Sequence, residues 1–190
     1  MRASFLAGLL TCTAVVCVGR PAHAGLLSQH VDLIQVTPFV GAETVRLGLA
    51  DLTGLKAPGV FTTSGATIGG VVGMRLGPLG LGFLVQHTDA SDPANATLSL
   101  TKTYGELAIN AQYGRVLIPV HFDFGYAYLA TPDTSVRGPG GKIGIGVDVL
   151  ALKVMSFGAG ADFDVQGYSQ NGKLIGGYGG TFVFRLGLHI

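Results

Sequence analysis

The chain has 190 residues, enough for one domain with a real core. Glycine fills 31 positions and charged residues make up only 12%, against usual levels of about 7% and 25%; the net charge is +1. That balance gives no footing for nucleic-acid binding, and so apolar and weakly charged a chain would make a poor water-facing surface.

The first segment reads as a cleaved signal peptide, residues 1–24. Arg2 supplies the positive start, Phe5 to Val18 the apolar stretch, and Ala22-His23-Ala24 a small-x-small cleavage site. Cleavage between Ala24 and Gly25 leaves a single domain, 25–190, with ten Lys and Arg against eleven Asp and Glu. A retained membrane anchor is disfavoured because the apolar stretch is shorter than the ~20 residues a spanning helix needs. A lipidated Cys12 is disfavoured by the short apolar run before it. Cys12 and Cys17 both fall inside the signal, so the exported domain carries no thiol. No run of 18 apolar residues follows residue 24, which argues against a helical span.

From there the pattern has a period of two, which places alternate side chains on opposite faces of a strand. The first segment sets Ile34, Val36, Pro38, Val40 and Ala42 against Gln35, Thr37, Gly41 and Glu43. The second sets Ile68, Val72, Met74 and Leu76 against Thr67, Gly69, Gly73 and Arg75. Leu79, Leu81, Phe83 and Val85 oppose Gly80, Gly82 and Gln86, and Leu107, Ile109, Ala111 and Tyr113 oppose Glu106, Asn110 and Gln112. In the fifth segment Ile118, Val120, Phe122, Phe124, Tyr126 and Tyr128 oppose His121, Asp123 and Gly125. The sixth sets Ile143, Ile145, Val147 and Val149 against Lys142, Gly144, Gly146 and Asp148. In the seventh, Phe157, Ala159, Ala161, Phe163 and Val165 oppose Gly158, Gly160, Asp162 and Asp164. The eighth places Phe182, Phe184, Leu186, Leu188 and Ile190 opposite Thr181, Arg185, Gly187 and His189. Such a strand needs a partner on its free edge, and a closed barrel supplies one by pairing last strand with first.

The connections alternate long and short. Glu43 to Ser64, Asp89 to Ala96, Thr131 to Gly141 and Gln166 to Lys173 are long; Gly77-Pro78, Gly114-Arg115-Val116 and the stretch near Leu152-Lys153 are short. An up-and-down meander puts consecutive connections at opposite ends, and transmembrane barrels have short periplasmic turns, longer outer loops and an even strand count. The expected fold is therefore all-β: an eight-stranded antiparallel up-and-down transmembrane β-barrel with four extracellular loops.

Alternation alone leaves open which face points outward; a soluble lipocalin-like ligand-binding barrel has the same period. Three features favour apolar-out. The polar face carries Gly, Asp, Gln and Asn rather than the many Lys and Glu of a soluble surface, and small residues suit a narrow eight-stranded interior. Aromatics gather near strand ends, with Tyr126, Tyr128, Phe163 and Tyr178 towards the long loops and Tyr113 and Phe157 towards the short turns, as in two interfacial girdles. Closure also pairs every backbone group, as lipid demands.

On these residues the chain, from Leu33 to Ile190, resembles the small outer-membrane barrels of Gram-negative bacteria, the OmpA-type and OmpX-type group. The alternation Phe182-x-Phe184-x-Leu186-x-Leu188-x-Ile190 is similar to that family's terminal insertion signal, with Ile190 where the family usually has an aromatic. The resemblance implies residence in the outer membrane, contact with its lipid and lipopolysaccharide, assembly by the barrel insertion machinery and a monomeric state.

Apolar-out packing would place polar groups of both signs in the lumen. Arg75, His121, Asp123, Asp148, Arg185 and His189 are expected in the periplasmic half. Glu43, Lys102, Glu106, Lys142, Asp162 and Asp164 are expected in the extracellular half. Buried charges must be paired, so Arg75, Glu106, His121, Asp123, Asp148, Asp162 and Arg185 are read as a structural network plugging the tube, with a narrow passive pore as the second reading. No catalytic set emerges. Lipid A deacylases of this size use His-x-Ser, and His87-Thr88-Asp89 is the nearest approach here. Scattered histidines and Asp162-x-Asp164 make no case for a metal, and no cofactor motif occurs. The expected role is structural, adhesive or surface-interacting, through the loops and a possible extracellular ligand, with Ala50 to Ser64 the largest candidate contact segment.

Overall fold

A computed structural model describes residues 31–50, 60–91, 97–132, 135–152, 154–170 and 173–190. The signal segment, with Ala24 and Gly25, lies outside the described residues. Eight strands follow one another: β1 Val31–Ala50, β2 Val60–Leu76, β3 Leu79–Ser91, β4 Thr97–Tyr113, β5 Val116–Ala130, β6 Ser135–Leu152, β7 Met155–Gln170 and β8 Lys173–His189. Each pairs antiparallel with its sequence neighbours, and β8 returns to β1, closing the barrel. The closing register runs from Gln35↔His189 to Ala50↔Leu174. Ile190 is held too: its N–H donates to the Ile34 carbonyl at 2.9 Å and its carbonyl accepts from Ile34 N–H at 3.0 Å.

Two short turns rest on glycine. Gly77 (φ 63°) and Gly114 (φ 59°) take the left-handed conformation that a primed hairpin turn requires of its first residue. Near the same end of the barrel, β1 shifts register against β2 between Asp32 and Gln35. One extra residue there leaves Leu33 and Ile34 both exposed and restores the alternation on either side.

The apolar face points out. Val40, Ile68, Leu81, Phe83, Ile145, Phe157 and Phe163 are all exposed, and Phe124 and Phe184 reach 68% and 61%. The opposite face, with Arg75, Gln86, Lys102, Asp123 and Asp164, is buried. This removes the soluble, apolar-in barrel. Both expected sets of girdle aromatics, Tyr126, Tyr128, Phe163 and Tyr178 at one end and Tyr113 and Phe157 at the other, are on the outer face.

The strands overrun the expected bounds at the long-loop end. Glu43 to Gly48 and Val60 to Gly65 are not loop but a continuous ladder of β1 with β2. Likewise β3 continues to Ser91, β6 starts at Ser135 and β7 continues to Gln170. The physical reason is an exchange of polarity at constant parity. On β4 the even positions face inward throughout: Asn110, Ala108, Glu106, Tyr104 and Lys102, then Leu100 and Leu98. The odd positions face outward: Ile109 and Leu107 near the short turns, but Thr103, Thr101, Ser99 and Thr97 near the loops. Above the lipid-facing belt the barrel is thus apolar inside and polar outside. The alternation continues while its hydrophobic phase reverses, which in sequence looks like the end of a strand.

Candidate functional site in the barrel lumen

Period-two geometry on eight paired strands sends every second side chain into one narrow tube, and strand tilt stacks them in tiers. Nearest the short turns, Asp32 of β1 meets Arg75 of β2 at 2.7 Å, both side chains buried. His189 bridges the same carboxylate (3.0 Å) and the Ser156 hydroxyl (2.8 Å). Arg185 donates through Nε to Asp148 Oδ1 at 2.7 Å. Its guanidinium lies over Gly146, where a Cβ would collide with it, so the glycine is the space the arginine occupies.

The middle tier joins β4, β5, β6 and β7. His121 places Nδ1 3.1 Å from Asp123 Oδ2 and Nε2 3.2 Å from Asp162 Oδ1. Lys142 donates to Asp162 Oδ2 at 3.1 Å and lies 3.4 Å from Asp123 Oδ2, with its ammonium 6.0 Å from the centroid of the Phe39 ring. Glu106 stands opposite Asp123 in the β4–β5 register. Gly144 sits under the His121–Asp162 contact, and a side chain there would strike both.

Above it lies a second charged tier. Lys102 donates to Glu43 and, at 2.6 Å, to Asp164 Oδ2. Glu43 Oε2 also accepts from Gln86 Nε2 (2.9 Å) and from the Thr88 hydroxyl (2.5 Å). Gln166 donates to Asp164 and accepts from the Tyr168 hydroxyl at 3.1 Å. Phe39, Leu84, Tyr104 and Val183 fill the space beside these groups. The long-loop end of the tube is closed by an apolar cluster that includes Val45, Leu47, Leu98, Leu100, Leu129, Val136 and Tyr168.

All seven residues expected in the polar lumen face the tube; Arg75, Asp148 and Arg185 stand nearest the short turns as expected, but the division into halves breaks down in the middle tier. His121 and Asp123, assigned to the periplasmic half, contact Asp162 and Lys142, assigned to the other. Strand tilt brings residues at different distances from their turns to one level. Sequence reasoning passed over Asp32, Tyr104, Tyr168 and the apolar closure, and named Gln86 and Thr88 without assigning either to the network. The signal for the closure was present as Leu98 and Leu100 sharing the parity of Lys102 and Glu106.

Closed eight-strand topology with an apolar outer belt defines a transmembrane β-barrel, and the fold is that of small Gram-negative outer-membrane barrels. Neisserial surface protein A superposes with a TM-score of 0.61 at 12% identity, over 85% of this chain and 99% of that one. The outer membrane protease OmpT of Escherichia coli gives 0.46 at 7% identity, covering 90% and 100%, and OprG of Pseudomonas aeruginosa 0.42 at 12%, covering 86% and 100%. Neither a protein-family model nor a curated protein sequence matches the chain.

Proposed function

We propose that this protein is a non-enzymatic, non-conducting barrel of the outer membrane that acts through its long-loop end, in surface contact or adhesion. The observation that carries the reading is the filling of the tube. Among the described residues, tiers of ion pairs occupy its middle and the apolar cluster from Val45 to Tyr168 lies above them, an arrangement that supports a plugged tube over a conducting one. The exterior favours the loop end as the working surface. There the strands expose Thr44 bonded to Ser64 (2.9 Å) and Arg46 beside the Tyr178 hydroxyl (3.4 Å), polar contacts outside the lipid belt. The lumenal network serves in this reading as structural fill.

The test has two arms. In planar bilayers the refolded barrel is expected to show no discrete conductance steps; regular steps support the narrow pore instead. In cells, replacing residues 51–59 by a Gly-Ser stretch of equal length is expected to abolish attachment to host cells or surfaces while the heat-modifiable band persists. Unchanged attachment for all four outer connections so replaced removes the adhesive reading.

A further inference from the structure

The lumenal charges do not balance. Among the described residues seven carboxylates face the tube against four Lys and Arg side chains and two histidines, His121 and His189, so one carboxylate is in excess even with both imidazoles charged. Asp32 has Arg75, Asp148 has Arg185, Glu43 and Asp164 share Lys102, and Asp123 and Asp162 share Lys142. Glu106 alone takes part in no ion pair or hydrogen bond among the described residues. A carboxylate inside such a tube needs a counter-charge.

The surroundings of Glu106 have the form of a metal-ligand set. Donor atoms of Glu106, His121 and Asp123 all lie within 4.8 Å of one another. Ligands on one ion at about 2.0–2.2 Å lie no more than about 4.4 Å apart, so a small side-chain movement completes the set. The strands fix this grouping: Glu106 is the cross-strand partner of Asp123, and His121 is two residues along the same face of β5. Ligating histidines usually donate their second ring N–H to a carboxylate, which fixes the ring and its tautomer. Here His121 Nε2 lies 3.2 Å from Asp162, itself held by Lys142, and Nδ1 is turned to both oxygens of Asp123, at 3.1 and 3.2 Å. With His121 neutral, as a metal-ligating imidazole must be, Glu106, Asp123 and Asp162 against Lys142 leave two negative charges, the complement of one divalent ion. A cavity of about 50 Å³, lined by Glu106, His121, Gln35, Thr37, Asn110 and Arg185, lies between the set and the short turns. That volume holds a few waters, which suits an ion keeping part of its shell and excludes an organic ligand.

We propose that Glu106, His121 and Asp123 bind one divalent first-row cation of the Zn²⁺ or Mn²⁺ type, reached from the short-turn end, with Asp162 and Lys142 positioning the imidazole. One nitrogen and two carboxylate oxygens suit such borderline ions, and water completes the coordination.

The probe is Zn²⁺ or Mn²⁺ alone, added to barrel refolded in detergent after chelator treatment, with stoichiometry read by elemental analysis and affinity by calorimetry. One ion per chain is expected. E106Q is expected to weaken binding at least tenfold and D162N about 10–100-fold, the usual effect of losing an outer-shell partner. H87A, which removes the exposed His87–Asp89 pair, is expected to change nothing. No binding by the unaltered chain at about 100 μM ion overturns the proposal. So does binding lost in H87A and kept in E106Q. Should E106Q fail to fold, ¹⁵N spectra of the unaltered barrel decide: Zn²⁺ must shift the His121 Nδ1 resonance, and an unmoved resonance refutes the site.

Discussion

Lys102 has no exposed surface, and neither do the two carboxylates it joins, Glu43 and Asp164. Removing one member of such a buried set leaves uncompensated charge, at a cost of about 3–5 kcal/mol. K102M should therefore lower the stability of the barrel by that amount, measured by urea titration in detergent or vesicles; a loss under about 1 kcal/mol would mean that water reaches the tier. Gly146 makes the opposite demand, for emptiness. G146V drives a side chain into the Arg185 guanidinium and should cost about 1–3 kcal/mol as an overpacked interior. Pairing it with R185A should recover part of the loss, because the arginine that owned the space is gone.

At the scale of the strand, one face changes its chemistry along its length. Phe184 is cross-strand partner to Val40 and Ala159, in the lipid belt. An arginine there should cost about 2–4 kcal/mol. Thr62, on the outer face opposite Arg46 in the β1–β2 ladder, lies past the belt, and T62E should leave the unfolding midpoint unmoved. Equal effects of F184R and T62E would place the hydrocarbon boundary elsewhere. The same inversion sets what was legible in the sequence. The belt segments, such as Leu79 to Val85 or Phe182 to Leu188, announce themselves because one face is uniformly apolar. So do the short turns, through Gly77 and Gly114. Above the belt Thr44 and Arg46 face out while Val45 and Leu47 face in, a soluble pattern in opposite phase, so strand was read as loop. Which lumenal groups meet was less legible still. Parity assigns a residue to the tube, but tilt and register decide that Glu106 meets Asp123 and that His121 reaches Asp162.

For the molecule as a whole, seven hairpin pairings are local and one is not. The β1–β8 seam brings Asp32 to His189, 157 positions away, and Arg46 to Tyr178, 132 away. Loop-closure entropy must be met before that seam gains any contact, so it forms late. H189A removes the seam hydrogen bond to Asp32, worth about 1 kcal/mol, along with a local one to Ser156 of β7. Because the loss falls after the transition state, unfolding in vesicles should accelerate about fivefold while the folding rate stays within about twofold. A slowed folding rate with unchanged unfolding would put seam closure early instead.

All eight strands, 13 to 20 residues long, exceed the 9–11 that a bilayer crossing takes. A surplus of about six residues on a strand tilted near 45° rises about 14 Å above the hydrocarbon. The upper barrel is thus a pedestal with its own dry core, Val45 to Tyr168, independent of lipid for its packing. Whatever surface the connections between strands form is mounted on stiff, hydrogen-bonded sheet raised above the hydrocarbon. Antibodies raised against that end would meet a shape fixed by the pedestal and standing clear of the membrane plane.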